Sequence, residues 1–145
     1  MDDDALKLLL DSSRTVAIVG LSTDPEKTSS KVAGILIDAG YDVIPVHPKA
    51  TEILGRTAYA SIAEVPVQVD IGDVFRPAEE AAGIARAAVE IGAKTLWLQL
   101  GITSAEARTI AEGAGLQYVE DTCIGATTRR LGNRAPTDRV ARRTA

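Results

Sequence analysis

Val16-Ala17-Ile18-Val19-Gly20-Leu21-Ser22 is a buried-strand run that stops at one glycine, and a loop rich in hydroxyls and amines leads from it into a helical pattern. In an α/β protein such a junction leaves backbone N–H groups unpaired at the positive end of a helix, a natural seat for phosphate. Gly20 has no Cβ to intrude between backbone and ligand. Lys27, Ser29 and Lys31 add cationic and hydroxyl donors nearby. The further glycines of a dinucleotide fingerprint are missing, since Leu21, Ser22, Thr23 and Asp24 occupy their places. The stretch points to a phosphate-bearing ligand more than to NAD.

The end of the second strand discriminates between nucleotides. NAD sites place an acid there to hold the ribose hydroxyls. This chain has Val46-His47-Pro48-Lys49, with no acid until Glu52. A cation at that place suits a phosphorylated ribose, as in NADP or coenzyme A. Lys27, Lys31 and Lys49 together could answer a pyrophosphate and one ribose phosphate; singly, each reads equally as a solvated surface cation. Nucleophilic catalysis needs a base beside a nucleophile. The single histidine, His47, and the single cysteine, Cys123, fall at the ends of different strands, and metal-ligand spacings are absent. No catalytic constellation is visible. Trp97, flanked by Leu96, Leu98 and Leu100, reads as core rather than as a base-stacking partner for Phe75.

The elements that must position these residues follow from periodicity and punctuation. Leu6, Leu9 and Leu10 predict a leading helix within residues 1–13. Strands are expected at Thr15–Gly20, Asp42–Val46, Val69–Phe75, Thr95–Leu100 and Gln117–Glu120. A helix carrying Val32, Ile35, Leu36 and Ala39 stops at Gly40, and another opens with Pro77 at its first position and ends at Gly92. Thr103 and Glu106 suggest a capping box for a helix bearing Ala107, Ile110 and Ala111. A loop with Gly55, a short amphipathic turn at Ser61–Val65 and a closing helix at Ile124–Leu131 complete the reading. The alternation implies an α/β fold, a doubly wound parallel five-stranded sheet with helices on both faces. In such sheets the ligand lies beyond the carboxyl ends of the strands, where Ser22 to Lys31, His47 to Lys49, Phe75 to Pro77 and Gly101 to Thr103 converge.

The 145 residues suffice for one domain, expected over residues 1–131, with 132–145 read as a basic, mobile tail. The net charge of −4 conceals a split: residues 1–128 hold 10 Lys/Arg against 19 Asp/Glu, whereas residues 129–145 hold six Arg against Asp138. An acidic body argues against nucleic acid as a partner, and the tail lacks aromatics for base stacking. No apolar run approaches the roughly 20 residues that span a bilayer, so no membrane partner is expected. An acidic start and one cysteine suit the cytoplasm. A protein partner or a homo-oligomer stays open.

These residues resemble the small single-domain CoA-binding proteins, a family similar to the nucleotide-binding domain of the succinyl-CoA synthetase α subunit. The resemblance rests on Val19 to Ser22, Asp24 to Lys27, Ser29 to Val32, Gly40-Tyr41, Pro45 to Pro48, Val69 to Ile71, Val74 to Arg76, Trp97 to Ile102 and Asp121 to Ile124. They cover roughly residues 14–131 in order. His47 stands where the family usually has asparagine, and Ala126 where it commonly has glutamate. The resemblance implies a Rossmann-like fold and coenzyme A as cofactor. Gly20, Leu21 and Ser22 would face the pyrophosphate, with Lys27, Ser29 and Lys31 beside it. Val46, Pro48 and Lys49 would border the adenosine and its 3′-phosphate. Val74, Phe75 and Arg76 would flank the adenine or the start of the pantetheine arm, and Gly101 would let that arm pass. The synthetase relative works through a histidine on a second domain, so its ligase activity is not expected here. The function expected is CoA or acyl-CoA binding without catalysis. The alternatives are an enzyme or subunit using a CoA thioester or NADP, and a structural subunit whose crevice is vestigial.

Overall fold

The computed structural model describes residues 1–136. Its core is a five-stranded parallel sheet in the order β2-β1-β5-β6-β7, built from β1 (Thr15–Val19), β2 (Asp42–Val46), β5 (Ile71–Val74), β6 (Thr95–Leu98) and β7 (Gln117–Val119). Side chains alternate across it, as a strand period of two requires. Val16 and Ile18 join one apolar layer with Leu9, Val32, Leu36 and Ile124, contributed by α1 (Asp3–Asp11), α2 (Thr28–Asp38) and α5 (Ile124–Leu131). Ala17 and Val19 join the other layer with Ala81, Ala85, Ala107 and Ala111, contributed by α3 (Ala78–Glu90) and α4 (Ala105–Gly113). The doubly wound α/β architecture expected from the alternation is therefore the one observed.

Several local expectations need correction. The N-cap of α4 is Ser104, not Thr103: its hydroxyl accepts the Ala107 N–H at 3.0 Å. Glu106, read as the capping-box acid, instead pairs with Arg86 at 2.9 Å. Pro77 precedes α3 as its N-cap rather than occupying the first helical position. The loop around Gly55 folds into a small hairpin, β3 (Glu52–Ile53) and β4 (Arg56–Thr57). Leu54 and Gly55, both at positive φ, make its two-residue turn. The strand expected at Val69–Phe75 spans Ile71–Val74, and just before it the Asp70 side chain accepts the backbone N–H groups of Arg14 and Thr15 at 2.8 and 3.0 Å.

The ordered chain also runs past residue 131. Asn133 is buried and donates through Nδ2 to the Lys7 carbonyl and to Asp11 Oδ1, while the Ala135 N–H donates to the Ala39 carbonyl. The start of the segment read as a mobile tail is thus packed against α1 and the end of α2; residues 137–145 lie outside the described residues. Trp97 is fully buried, with its indole N–H donated to the Thr122 carbonyl at 2.8 Å, as a core residue needs.

Candidate functional site

The chain leaves β1 towards β2 on one side and returns to β5 on the other, so the switch in strand order lies between β1 and β5. At their carboxyl ends stands Gly20, with φ of +95°. A Cβ on this residue would lie 2.6 Å from the Phe75 carbonyl oxygen and 2.9 Å from Arg76 Cδ. Glycine is required there by conformation and by space.

The loop that follows is tied to itself. The Ser22 N–H donates to Ser29 Oγ at 3.0 Å, and Ser30 Oγ donates to the carbonyls of Ser22 and Asp24 at 3.1 and 2.8 Å. Ser22 Oγ in turn accepts the Asp24 N–H. These hydroxyls shape the approach to α2. The helix itself begins after Lys27 without a side-chain cap, which leaves its positive end for solvent or ligand.

Two chambers open on either side of this junction. The larger, of about 700 Å³, lies between the end of β2 and α3, and its walls include Gly20, Val46, Pro48, Ile62, Glu80 and Ile84. The smaller, of about 480 Å³, is lined by Thr28, Phe75, Pro77, Gln99, Leu100, Ile102 and Cys123. Arg76 borders both. Its guanidinium forms a two-pronged bond to Glu80, Nε to Oε1 at 3.0 Å and Nη2 to Oε2 at 2.7 Å. That bond holds the Glu80 carboxyl below its ordinary pKa. A third, smaller pocket of about 270 Å³, beside Asn133, lies at the opposite end of the sheet.

Beneath the smaller chamber sits Asp73, fully buried on β5. Its Oδ1 accepts the Gln99 amide at 2.5 Å, and Oδ2 has no partner among the described residues. Burial pushes the carboxyl up to about 8, against the smaller opposing effect of the Gln99 bond. Gln99 Oε1 faces the Ile124 N–H at 3.4 Å, so the same amide reaches the first turn of α5. Cys123 caps that helix, its sulfur accepting from the Ala126 N–H at 3.4 Å.

The residues singled out in the sequence divide accordingly. Gly20, Val46, Pro48, Phe75 and Arg76 line the groove. Lys27, Lys31 and Lys49 are exposed and lie outside the linings of both chambers. Leu21 and Val74 are fully buried and present no side chain to a ligand, because each fills an apolar layer beneath the strand ends. Ser29 is buried on its bond to Ser22, and Gly101 sits at the rim, its N–H held by Asp121 Oδ1 at 2.7 Å. Thr28, from the Ser22 to Lys31 stretch, also lines the smaller chamber, and Gln99, Leu100 and Glu80 line the chambers from outside the stretches expected to converge. The signal for the buried pair was an acid, Asp73, inside an otherwise apolar strand; Leu100 was hidden by reading it as part of the strand.

His47 and Cys123 are kept apart. They follow β2 and β7, the two edge strands, and Cys123 lines the smaller chamber whereas His47 lines neither. The His47 Nδ1 accepts the N–H groups of Lys49 and Ala50 at 3.0 and 2.9 Å, serving the turn as an asparagine oxygen would. Among the described residues no group of three His, Cys, Asp or Glu side chains could hold a metal ion, and no helix is long and apolar enough to cross a membrane.

Residues 14–129 match the model of the CoA binding domain family, and the chain belongs to that family. It is 38% identical over 119 residues to the uncharacterized protein YneT of Bacillus subtilis, covering 82% of this chain and 88% of that one. It is 28% identical over 141 residues to an ADP-forming acetate–CoA ligase of Archaeoglobus fulgidus, covering 88% of this chain and 20% of the ligase. The chain therefore spans about a fifth of that enzyme's length. Among solved structures, a hypothetical protein from Pyrococcus horikoshii superposes with a TM-score of 0.88 at 32% identity, covering 92% of this chain and 94% of the other.

Proposed function

We propose that this protein binds coenzyme A or an acyl-CoA along the groove and performs no reaction on it alone. The observation that carries this reading is the larger chamber opening at Gly20, beside an uncapped helix start, with Arg76 shared between it and the smaller chamber. A diphosphate laid beside the loop meets the uncapped start of α2 and its dipole, since the Gly20 N–H is spent on the Val46 carbonyl and the Ser22 N–H on Ser29 Oγ. The adenosine then enters the larger chamber between Pro48 and α3, with Lys49 at the edge for a 3′-phosphate. The pantetheine arm enters the smaller chamber, whose lining includes Cys123. Membership of the CoA binding domain family supports the choice of ligand. The engagement of His47 Nδ1 by two backbone N–H groups, outside both chambers, supports binding over nucleophilic catalysis. The role is that of a cytoplasmic carrier or sensor of the cofactor.

Calorimetry with CoA, dephospho-CoA, NADP and NAD tests the reading. CoA is expected to bind at micromolar or lower concentration, and NAD far more weakly. Dephospho-CoA binding as tightly as CoA would remove the 3′-phosphate role of the Lys49 edge. A protein that binds none of the four would overturn the function itself.

A further inference from the structure

We infer that the smaller chamber selects an uncharged, short aliphatic acyl group, so that the preferred ligand is a thioester of a simple fatty acid rather than of a dicarboxylic acid. This rests on the CoA reading and on its placing the thioester end in that chamber. The walls are Phe75, Pro77, Leu100 and Ile102, with the Gln99 amide and the Thr28 hydroxyl as neutral polar groups. Among the described residues Arg76 is the one cation in the lining, and its Nε and Nη2 are bonded to the Glu80 carboxylate, which offsets its charge. The acid beneath Gln99, Asp73, is shielded by full burial, which favours its neutral form. A terminal carboxylate entering here would lose water and meet a cation whose charge Glu80 already offsets.

Leu100 strengthens the case for an apolar guest. It is 71% exposed, although it directly follows a strand and Gln99 whose side chains are buried. The turn that projects it is fixed at both ends: the Ile102 N–H donates to the Gln99 carbonyl at 2.9 Å, and the Gly101 N–H to Asp121 Oδ1. A large apolar side chain is thus held at the chamber mouth, where an aliphatic chain would cover it. Each methylene so buried is worth up to about fourfold in affinity.

Butyryl-CoA and succinyl-CoA have acyl chains of equal carbon count and differ at the terminal group, which makes them the decisive pair. Calorimetry at matched ionic strength is expected to show butyryl-CoA at least tenfold tighter than succinyl-CoA, and several-fold tighter than acetyl-CoA. Leu100→Lys, at an exposed position that the fold tolerates, should move the butyryl-to-succinyl ratio about tenfold towards succinyl-CoA. Equal or tighter binding of succinyl-CoA by the natural chain would overturn the inference while CoA binding itself stood. So would a ratio indifferent to Leu100→Lys. Failure of the natural chain to bind CoA at all would remove the parent reading and this one together.

Discussion

Gly20 is fixed by its positive φ and by the Phe75 carbonyl oxygen standing where a Cβ would go. A β-branched residue suits a strand, yet here Gly20→Val forces the β1 end away from β5. Loss of CoA binding is expected together with a stability cost of about 1–3 kcal/mol, since the backbone must give way. Denaturant melts and calorimetry on one sample check both; a variant of full stability would mean that the junction relaxes freely. Asp73 makes a second prediction at this scale. Its folded pKa, pushed up to about 8, lies above the ordinary value of 3.8, so the folded state holds a proton that the unfolded state releases. Stability attributable to this group therefore falls as pH rises from near 4 to near 8 and is level above that. Asp73→Asn removes the titration and should gain on the natural chain across that window, by at most about 4 kcal/mol at neutral pH. Parallel stability profiles for the two proteins would show that the carboxyl is solvated after all.

The first turn of α3 brings Arg76 and Glu80 together at a spacing of four residues, and so decides how much positive charge the groove offers. As an exposed pair the contact adds little to stability. Its consequence is functional: a diphosphate over Gly20 must compete with Glu80 for the guanidinium. Glu80→Gln is expected to raise CoA affinity about three- to tenfold at low salt, with the gain shrinking as salt is added. The gain should vanish in an Arg76→Ala background. Persistence there would assign the effect to the general field of the acidic rim, not to the clasp. The α2 start is prepared differently, by serines that tie the loop back onto the helix and leave the positive end uncapped.

Across the whole molecule, the first helix is fastened to the last turn of α5 and to the chain that follows it, at the end of the sheet remote from the groove. Arg130 pairs with Asp3 at 2.7 Å, and Asn133 bridges the Lys7 carbonyl and Asp11 Oδ1 at 3.1 and 2.7 Å. The ion pair is exposed, whereas Asn133 is only 3% exposed and spends both amide hydrogens inside the protein. Asn133→Ala should cost about 1–3 kcal/mol, because two part-buried hydrogen bonds to α1 are lost and the buried Asn133 site is left underfilled. CoA affinity should be unchanged, since the contact lies at the amino ends of the strands. A melting temperature equal to that of the natural chain would reduce Asn133 to a surface residue.

The alternation of strands and helices, the convergence of Gly20, Pro48 and Arg76 on one edge, and the need for glycine at the first turn were all legible in the sequence. Each depends on local periodicity or on the conformational range of single residues, which neighbours in the chain largely determine. The site residues that escaped notice depend on contacts between distant segments. Leu21 and Val74 look like groove residues until packing encloses them; Asp73 meets Gln99 only because β5 and β6 are neighbours. Asn133 is a tail residue until α1 folds beside it. Which side chain faces ligand, core or solvent is decided by burial among elements far apart in sequence, and that is settled only when the tertiary structure closes.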